Sequence, residues 1–196
     1  MSNLTDVVGG ANMYGGISYE YTYDRFCNAY SAIYFNVGYL QVPSGVYFSG
    51  DFTITAWMYL LSNSASRMID FGNLLSDNIL LGIDFPSLRV LGLVRNSTSG
   101  TTFVTPSLMQ LKTWYHVAFV LSGSIGYIYV NGNLTVSAIQ NFPNNVIRNN
   151  NYVGKSNWAS NTNANATYDD LKIYNGSLSA AQILNDYITS SSNGLS

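Results

Sequence analysis

Charged side chains are scarce in this chain of 196 residues: they make up 9% of the sequence, against about a quarter in an average protein. The eight basic residues are scattered singly and the formal net charge is −2. The chain therefore has no basic patch that could bind a phosphate backbone or an anionic lipid surface. We expect neither a nucleic acid nor a membrane surface as its partner.

Long apolar runs and paired cysteines are also missing. No run approaches the roughly 18 residues of a membrane-spanning helix, so we expect no membrane insertion. The first residues contain neither a basic n-region nor an apolar h-region, and no export signal is expected within this chain. Cys27 is the only cysteine, which excludes a disulfide framework and a cysteine-based metal cluster.

Side chains that carry out hydrolysis are rare as well. Glu20 is the only glutamate, whereas retaining glycosidases need two carboxyl groups about 5–5.5 Å apart. His116 is the only histidine, and its apolar strand predicts a hydrogen-bonded core residue rather than a base or a ligand. No Gly-x-Ser-x-Gly motif is present. Because two aspartates could still meet in space, hydrolysis remains open as the least favoured function.

β-Strand patterns dominate what the sequence does contain. Trp114–Leu121 is apolar on both alternating faces, as expected of a strand that is buried on both sides. The small, polar loop Ser122–Gly126 separates it from the β-branched and aromatic run Tyr127–Val130. Asn131-Gly132 then supplies the two positive-φ positions of a type I′ turn. The stretch Trp114–Val136 therefore predicts a three-stranded antiparallel meander.

The remaining segments repeat this pattern at short intervals. Asp51–Leu61 alternates sharply, and Asn78–Ile83 with Leu88–Val94 predicts a hairpin. Ser31–Val42 predicts two strands separated by a kink or tight turn at Asn36-Val37-Gly38. Short strands with turn signals every 8–12 residues or so are typical of an all-β sandwich or barrel.

The chain shows no linker that would divide it, and we expect one domain. Residues 1–23, rich in Gly, Asn and Tyr, are predicted to be an irregular lead-in that belongs to the same domain. Residues 24–190 form the body of the domain, and 191–196 are expected to be a flexible tail. Ser179 and Gln182 make a capping box, which predicts one short C-terminal helix.

Several segments in order resemble the LamG-like jelly roll of the concanavalin A-like lectin/glucanase superfamily: DRFCNAYSAIYF, DFTITAWMYL, RMIDFGN, WYHVAFV, YVNG, NYVGKSNW and DDLKIYNGSLSAAQI. The resemblance covers about Asp24 to Ile188. It implies a jelly-roll sandwich of two antiparallel sheets that acts as an extracellular or cell-surface recognition module, part of a larger protein. One departure is Cys27, where relatives usually have glycine, so the backbone after Phe26 is expected to differ. The Glu-x-Asp-x-x-Glu strand of glucanase relatives is absent.

The resemblance also implies a structural Ca²⁺ ion. Its ligands would be Asp169 and backbone carbonyls of the turn containing Asn36 and Gly38, an oxygen set that calcium favours. Strand alternation predicts that Asp169 and Asp170 point to opposite faces. The alternative is that Asp169 only hydrogen-bonds backbone groups of the N-terminal segment.

Trp158 lies in the most polar stretch of the chain, close to Asn157 and Asn161. An aromatic plane beside amide groups suits a sugar, because C–H faces stack on rings while hydroxyls form hydrogen bonds. These three residues are the predicted ligand-binding site, and the alternative is that Trp158 packs over the rim of the sandwich. We therefore expect a non-enzymatic module that binds a glycan or an extracellular protein. A structural domain that self-associates and has no ligand of its own is the competing interpretation.

Overall fold

The computed structural model describes residues 4–6, 9–64 and 66–192. The first six strands are β1 (Tyr14–Thr22), β2 (Ala32–Val42), β3 (Phe52–Leu60), β4 (Arg67–Asn73), β5 (Ser76–Asp84) and β6 (Arg89–Val94). They are followed by β7 (Phe103–Val104), β8 (Trp114–Ser122), β9 (Ile125–Val130), β10 (Asn133–Ile139), β11 (Asn150–Val153), β12 (Ala164–Tyr174) and helix α1 (Ala180–Ser192). The predicted meander and the predicted hairpin are both present, as β8–β10 and as β5–β6.

The strands form two antiparallel layers that share β2. One layer runs β10-β9-β8-β3-β12, and the other runs β11-β4-β5-β6-β7. The first part of β2 pairs with β12 and its last part pairs with β11, so hydrogen bonds pass continuously from one layer to the other. Both layers contribute to a single core, which includes Phe35, Ile54, Phe71, Ile79, Phe119 and Tyr168. The predicted two-sheet jelly-roll sandwich with one C-terminal helix is confirmed.

β2 is one continuous strand, so the predicted division into two strands is wrong, but the predicted kink at Asn36-Val37-Gly38 is present as a bulge. Val37 has a φ of 53°, and the pairing of β2 with β12 shifts register between Gly38 and Asn36. A Cβ atom on Gly38 would lie 2.1 Å from the carbonyl oxygen of Ser18 on β1. Glycine is required here because the neighbouring backbone approaches too closely for any side chain.

The predictions for the two ends of the chain also need correction. Tyr14–Thr22 is strand β1, not irregular structure, and it pairs with β2. Gly15 and Gly16 have positive φ angles, and the β1–β2 register shifts twice, which hides the period-2 pattern in the sequence. At the other end, residues 191–192 still belong to α1, and 193–196 lie outside the described residues.

Helix α1 covers the outer face of the layer that contains β8 and β9. The predicted capping box is confirmed: the Ser179 backbone N–H donates to Gln182 Oε1 at 2.8 Å, and the Gln182 N–H donates to Ser179 Oγ at 3.3 Å. Ile183 is buried against the layer, in a cluster with Ala118, Val120 and Tyr129. No helix in the described part of the chain has the length and hydropathy of a membrane span.

Asp186 fixes α1 to the sheet through two polar contacts. Its Oδ2 lies 3.2 Å from His116 Nε2, and its Oδ1 accepts a hydrogen bond of 2.6 Å from Lys172 Nζ. His116 is 1% exposed, so the prediction of a hydrogen-bonded core histidine is confirmed. Burial alone would raise the pKa of Asp186, but the bonds from His116 and Lys172 outweigh it and hold the pKa well below its usual range.

We predict that this contact makes the fold sensitive to acid. An unfolded Asp has a pKa of about 3.9, so ionised Asp186 stabilises the folded state fully above about pH 4 and progressively less as the pH falls through its lower folded value. In thermal melts, Asp186→Asn should lower Tm most at about pH 6, and the difference from the parent protein should narrow below about pH 4. A difference that stays constant across this range would show that the charge of Asp186 does not contribute.

Candidate functional site

The residues predicted to bind calcium are not brought together by the fold. Asn36 on β2 pairs with Asn165 on β12, and Asp169 lies four residues further along β12. At about 3.3 Å per residue, this places Asp169 roughly 13 Å from Asn36 along the strand, with Gly38 farther still. A single ion cannot be bound by Asp169 and by this segment.

Asp169 instead binds the guanidinium group of Arg25. Arg25 Nη1 contacts Asp169 Oδ2, and Nη2 donates to Asp170 Oδ2 at 2.7 Å. Arg25 Nη2 and Nε also donate to the Ser190 carbonyl in α1, at 2.6 and 3.1 Å. The guanidinium carbon lies 4.6 Å from the ring centroid of Trp57. A fixed cation therefore already occupies the carboxylate site and connects it to the helix.

The expectation that Asp169 and Asp170 face opposite sides of the sheet is wrong. Asp170 has a φ of 48°, and the pairing of β12 with β3 shifts register between Asp169 and Lys172. This bulge lets both carboxylates reach the same guanidinium. Burial raises the pKa of Asp169, and the residues that the structure describes include no group of three acidic, His or Cys side chains suited to a metal. The predicted residues do not fit a calcium site.

The backbone conformation of Cys27, close to this contact, is one that glycine usually adopts. Its φ of 66° lies in the left-handed region that favours glycine. Cys27 thus adopts the conformation expected of the glycine in relatives, and its side chain is exposed. The backbone after Phe26 turns here without a glycine.

We predict that stability depends on Arg25 and not on calcium. Metal-stripped protein should give the same Tm with added Ca²⁺ and with chelator. Arg25→Gln should cost about 3 kcal/mol or more, because it removes a charge-assisted contact from the buried carboxylate of Asp169. At about 2–4 °C per kcal/mol, this lowers Tm by roughly 6–12 °C. The exposed residue Lys112 provides the control, since Lys112→Gln removes a positive charge without breaking a buried contact. A Tm that falls in chelator would contradict this interpretation.

The segment that carries Trp158 is organised by a different buried carboxylate, that of Asp70. Asp70 is fully buried and accepts hydrogen bonds from the Asn157 backbone N–H at 2.8 Å, Asn157 Nδ2 at 2.9 Å and Asn78 Nδ2 at 2.8 Å. Ser156 Oγ lies 3.4 Å from Asp70 Oδ2. Burial raises the pKa of Asp70, and these donors oppose the shift. The loop between β11 and β12 is thereby anchored to β4.

The predicted ligand-binding residues divide between two roles. Asn157 uses its amide nitrogen to bind Asp70 and the Asn150 carbonyl, so it supports the loop, and it does not line the cleft beside Trp158. Asn161 and Trp158 both bond to Ser156 Oγ, at 3.0 and 3.1 Å, and both line a cleft. Trp158 also packs against a buried leucine cluster. One side of the Trp158 ring therefore packs over the rim, as the alternative prediction holds, and another side lines the cleft.

The cleft has a volume of about 300 Å³ and lies on the outer face of β4, β5 and β6. Its floor is apolar and consists of Leu80, Leu91 and Leu93. Polar groups surround this floor: Arg67, Asp84, Arg95, Thr102, Ser160 and Asn161. A flat aromatic ring beside an apolar floor and several hydrogen-bonding groups can bind a small ligand that has both C–H faces and hydroxyls.

Arg67, Arg95 and Asp84 line this cleft but were not predicted from the sequence to belong to a site. The alternation of side chains along β5 and β6 could have identified Asp84 and Arg95. Leu80, Gly82 and Asp84 share one face of β5, and Arg95 continues the matching face of β6. Gly82 makes room for Arg67, because a Cβ atom there would lie 3.1 Å from Arg67 Cδ. The strand pairing was needed to bring Arg67 across to this face.

A second hollow, of about 380 Å³, runs along α1 and includes Tyr174, Gln182 and Asn185. Its charged side chain, Asp186, is already bound to Lys172 and His116. It lacks both a tryptophan and an unpaired charge. The cleft at Trp158 is therefore the better candidate site.

Solved structures with the same architecture include binding domains. The binding domain of Paraclostridial Mosquitocidal Protein 1 superposes with a TM-score of 0.74 at 13% identity, over 96% of this chain and 50% of that one. Domain 4 of AbnA, a GH43 extracellular arabinanase from Geobacillus stearothermophilus, in complex with arabinotriose, gives 0.67 at 20% identity, covering 94% and 92%. The botulinum neurotoxin serotype G binding domain gives 0.68 at 15%, covering 96% and 49%. The chain thus spans about half the length of the two toxin structures.

At these identities the structural likeness establishes a common fold alone. No curated protein sequence matches the chain. The family model described as the concanavalin A-like lectin/glucanases superfamily, Laminin_G_3, matches residues 36–184. This range is about three quarters of the chain, and it contains both layers of the sandwich from the bulge of β2 onward. The chain therefore belongs to the concanavalin A-like lectin/glucanases superfamily, as the resemblance of its strand motifs predicted.

Proposed function

We propose that this chain is a non-enzymatic glycan-binding module that works outside the cell or at the cell surface as part of a larger protein. The observation that carries the proposal is the cleft in which Trp158 stands beside an apolar floor and a rim of hydrogen-bonding side chains. The arabinotriose bound to the similar arabinanase domain supports a carbohydrate as the class of ligand.

The physical roles in the cleft follow from its composition. The indole of Trp158 offers a flat surface for the C–H face of a sugar ring. Thr102, Ser160 and Asn161 can donate to and accept from sugar hydroxyls, and Asp84 can accept from them. With a volume near the lower end of the range for ligand pockets, the cleft suits one sugar unit or the end of a longer glycan.

The arrangement of the acidic groups at this site argues against hydrolysis. Asp84 is the carboxylate among the cleft-lining residues, and its Oδ2 already accepts a hydrogen bond of 2.6 Å from Ser87. Asp70 lies below the cleft with its oxygens engaged by Asn157 and Asn78. Two carboxylates positioned on either side of a glycosidic bond are required for the reaction, and this arrangement does not supply them.

Self-association is the second candidate function, and strand β1 favours it. β1 pairs with β2 alone, and Tyr14 and Ile17 on it are each 51% exposed. A sheet edge with exposed apolar side chains can pair with another chain. Sedimentation at several concentrations tests this alternative: a dimer that dissociates in an Ile17→Lys variant, together with a blank glycan array, would favour assembly over glycan binding.

We predict that Trp158 provides a main part of the binding energy. On a glycan array, the parent protein should bind at least one glycan class. Trp158→Ala should weaken that binding at least tenfold, or about 1.4 kcal/mol, because the stacking surface is lost. Isothermal titration with the best glycan from the array measures the difference.

Tyr30→Ala is the matched control, because Tyr30 is a 72% exposed aromatic residue outside the cleft. It should leave the affinity unchanged. Circular dichroism melts of both variants check that the fold is intact. Equal affinities of the parent protein and of folded Trp158→Ala would contradict the assignment of this cleft.

A further inference from the structure

We infer that the cleft selects anionic glycans, in which a carboxylate or sulfate group sits on the sugar next to the ring that stacks on Trp158. This inference rests on the proposed function and adds the class of glycan. Its basis is a pair of arginines, Arg67 and Arg95, that line the cleft.

Neither arginine forms a close ion pair with a carboxylate of the described residues, although Asp70 and Asp84 lie near enough to Arg67 to stabilise its charge. The ion pairs among the described residues involve Arg25 and Lys172 as the cationic partners, His116 contacts Asp186, and none of these contacts includes Arg67 or Arg95. The buried Nε atoms of Arg67 and Arg95 have no hydrogen-bond partner. Arg67 is only 8% exposed, and its Nη1 donates a hydrogen bond of 2.9 Å to the Ile83 carbonyl. Both guanidinium groups retain donors for a ligand.

Burial lowers the pKa of Arg67, and the charges of Asp70 and Asp84 oppose this shift without forming a direct ion pair, so the desolvation of the guanidinium is only partly compensated. Arg25 shows the usual solution in this same protein, with two carboxylates and a carbonyl around its guanidinium. Arg67 and Arg95 lack this arrangement. An anionic group on a ligand would supply the missing partner and would form charge-assisted, two-pronged hydrogen bonds.

The balance of charge in the cleft is consistent with one negative group. The lining contains two arginines and Asp84, which gives a formal net charge of +1. Asp70 lies outside this lining, and its oxygens are occupied by the amide donors of Asn157 and Asn78. A neutral sugar would leave the two guanidinium groups unpaired, so the cleft should discriminate against it.

The position of Arg95 relative to Trp158 indicates where the anionic group of the glycan should lie. The guanidinium carbon of Arg95 is 5.9 Å from the centroid of the Trp158 ring. The side chain of Arg95 makes no hydrogen bond that the structure records among the described residues, so it is free to turn toward a ligand. Arg95 thus lies toward a face of the Trp158 ring, and a sugar bound at this ring would have its substituents near the guanidinium.

The test uses a glycan array that carries uronate, sialylated and sulfated glycans together with their neutral parents. We expect the bound glycans to be acidic ones. Titration of the best glycan should then show at least tenfold weaker binding of its neutral counterpart, the carboxyl methyl ester or the desulfated form. The two arms distinguish a carboxylate from a sulfate as the recognised group. Affinity should also fall as NaCl is raised, because the contact is ionic.

The variant Arg95→Gln should weaken binding of the acidic glycan at least tenfold and change binding of the neutral counterpart less than threefold. Arg95→Lys keeps the charge but loses the planar fork, and it should restore only part of the affinity. Lys112→Gln removes an exposed positive charge outside the cleft and should have no effect. Arg95 is the preferred position, since replacing the more deeply buried Arg67 risks the fold.

Different failures lead to different conclusions. If the array shows only neutral glycans, and Trp158→Ala removes their binding, the proposed function stands and the preference for anionic glycans is overturned. If acidic and neutral forms bind equally, or Arg95→Gln weakens both equally, the preference is also overturned. If no glycan binds, both proposals fail together.

Discussion

The buried carboxylate of Asp70 is the constraint on which the candidate site depends. It lies on β4 with no exposure to solvent, and a carboxylate in that position needs several donors. Asn78 comes from the neighbouring strand, and Asn157 comes from the loop between β11 and β12. The loop is thereby held over the outer face of the sheet, with Ser156 in turn bonding Trp158 and Asn161. The position of the stacking ring thus follows from one polar group in the sheet.

In the other layer, Arg25 supplies the donors that the buried carboxylate of Asp169 needs, and it also binds Asp170. Relatives are expected to use a divalent cation at such a carboxylate, and here an arginine side chain supplies the positive charge. Because the cation is covalently part of the chain, its binding needs no free ion. It also reaches the Ser190 carbonyl, so that the same group joins the segment after β1, strand β12 and helix α1. The two buried acids therefore organise opposite sides of the sandwich by different means.

The fold could be predicted from the sequence to a large extent, and the site only in part. Alternating apolar residues in Asp51–Leu61 and Trp114–Val136 predicted strands correctly, because burial imposes a period of two on the sequence. The interrupted alternation predicted the kink near Val37, but no pattern in the sequence predicted the bulge at Asp170, whose φ is 48°. Trp158 and Asn161 were identified from composition, but Arg95 meets them because β11 pairs with β4 and the loop after β11 bonds to Asp70, and local patterns do not encode such contacts between distant segments.

The proposed function requires that a glycan occupies the cleft between Trp158 and Arg95. An NMR titration of the ¹⁵N-labelled protein with the best-binding glycan tests it most directly, because each of the three tryptophans gives its own indole N–H signal. We expect the Trp158 indole and Arg95 Nε–H signals to shift on binding. Trp57, whose Nε1 donates to Ser190 Oγ beneath α1, should not respond. Shifts confined to β1 or to the hollow along α1, with the Trp158 signal unchanged, would contradict the account.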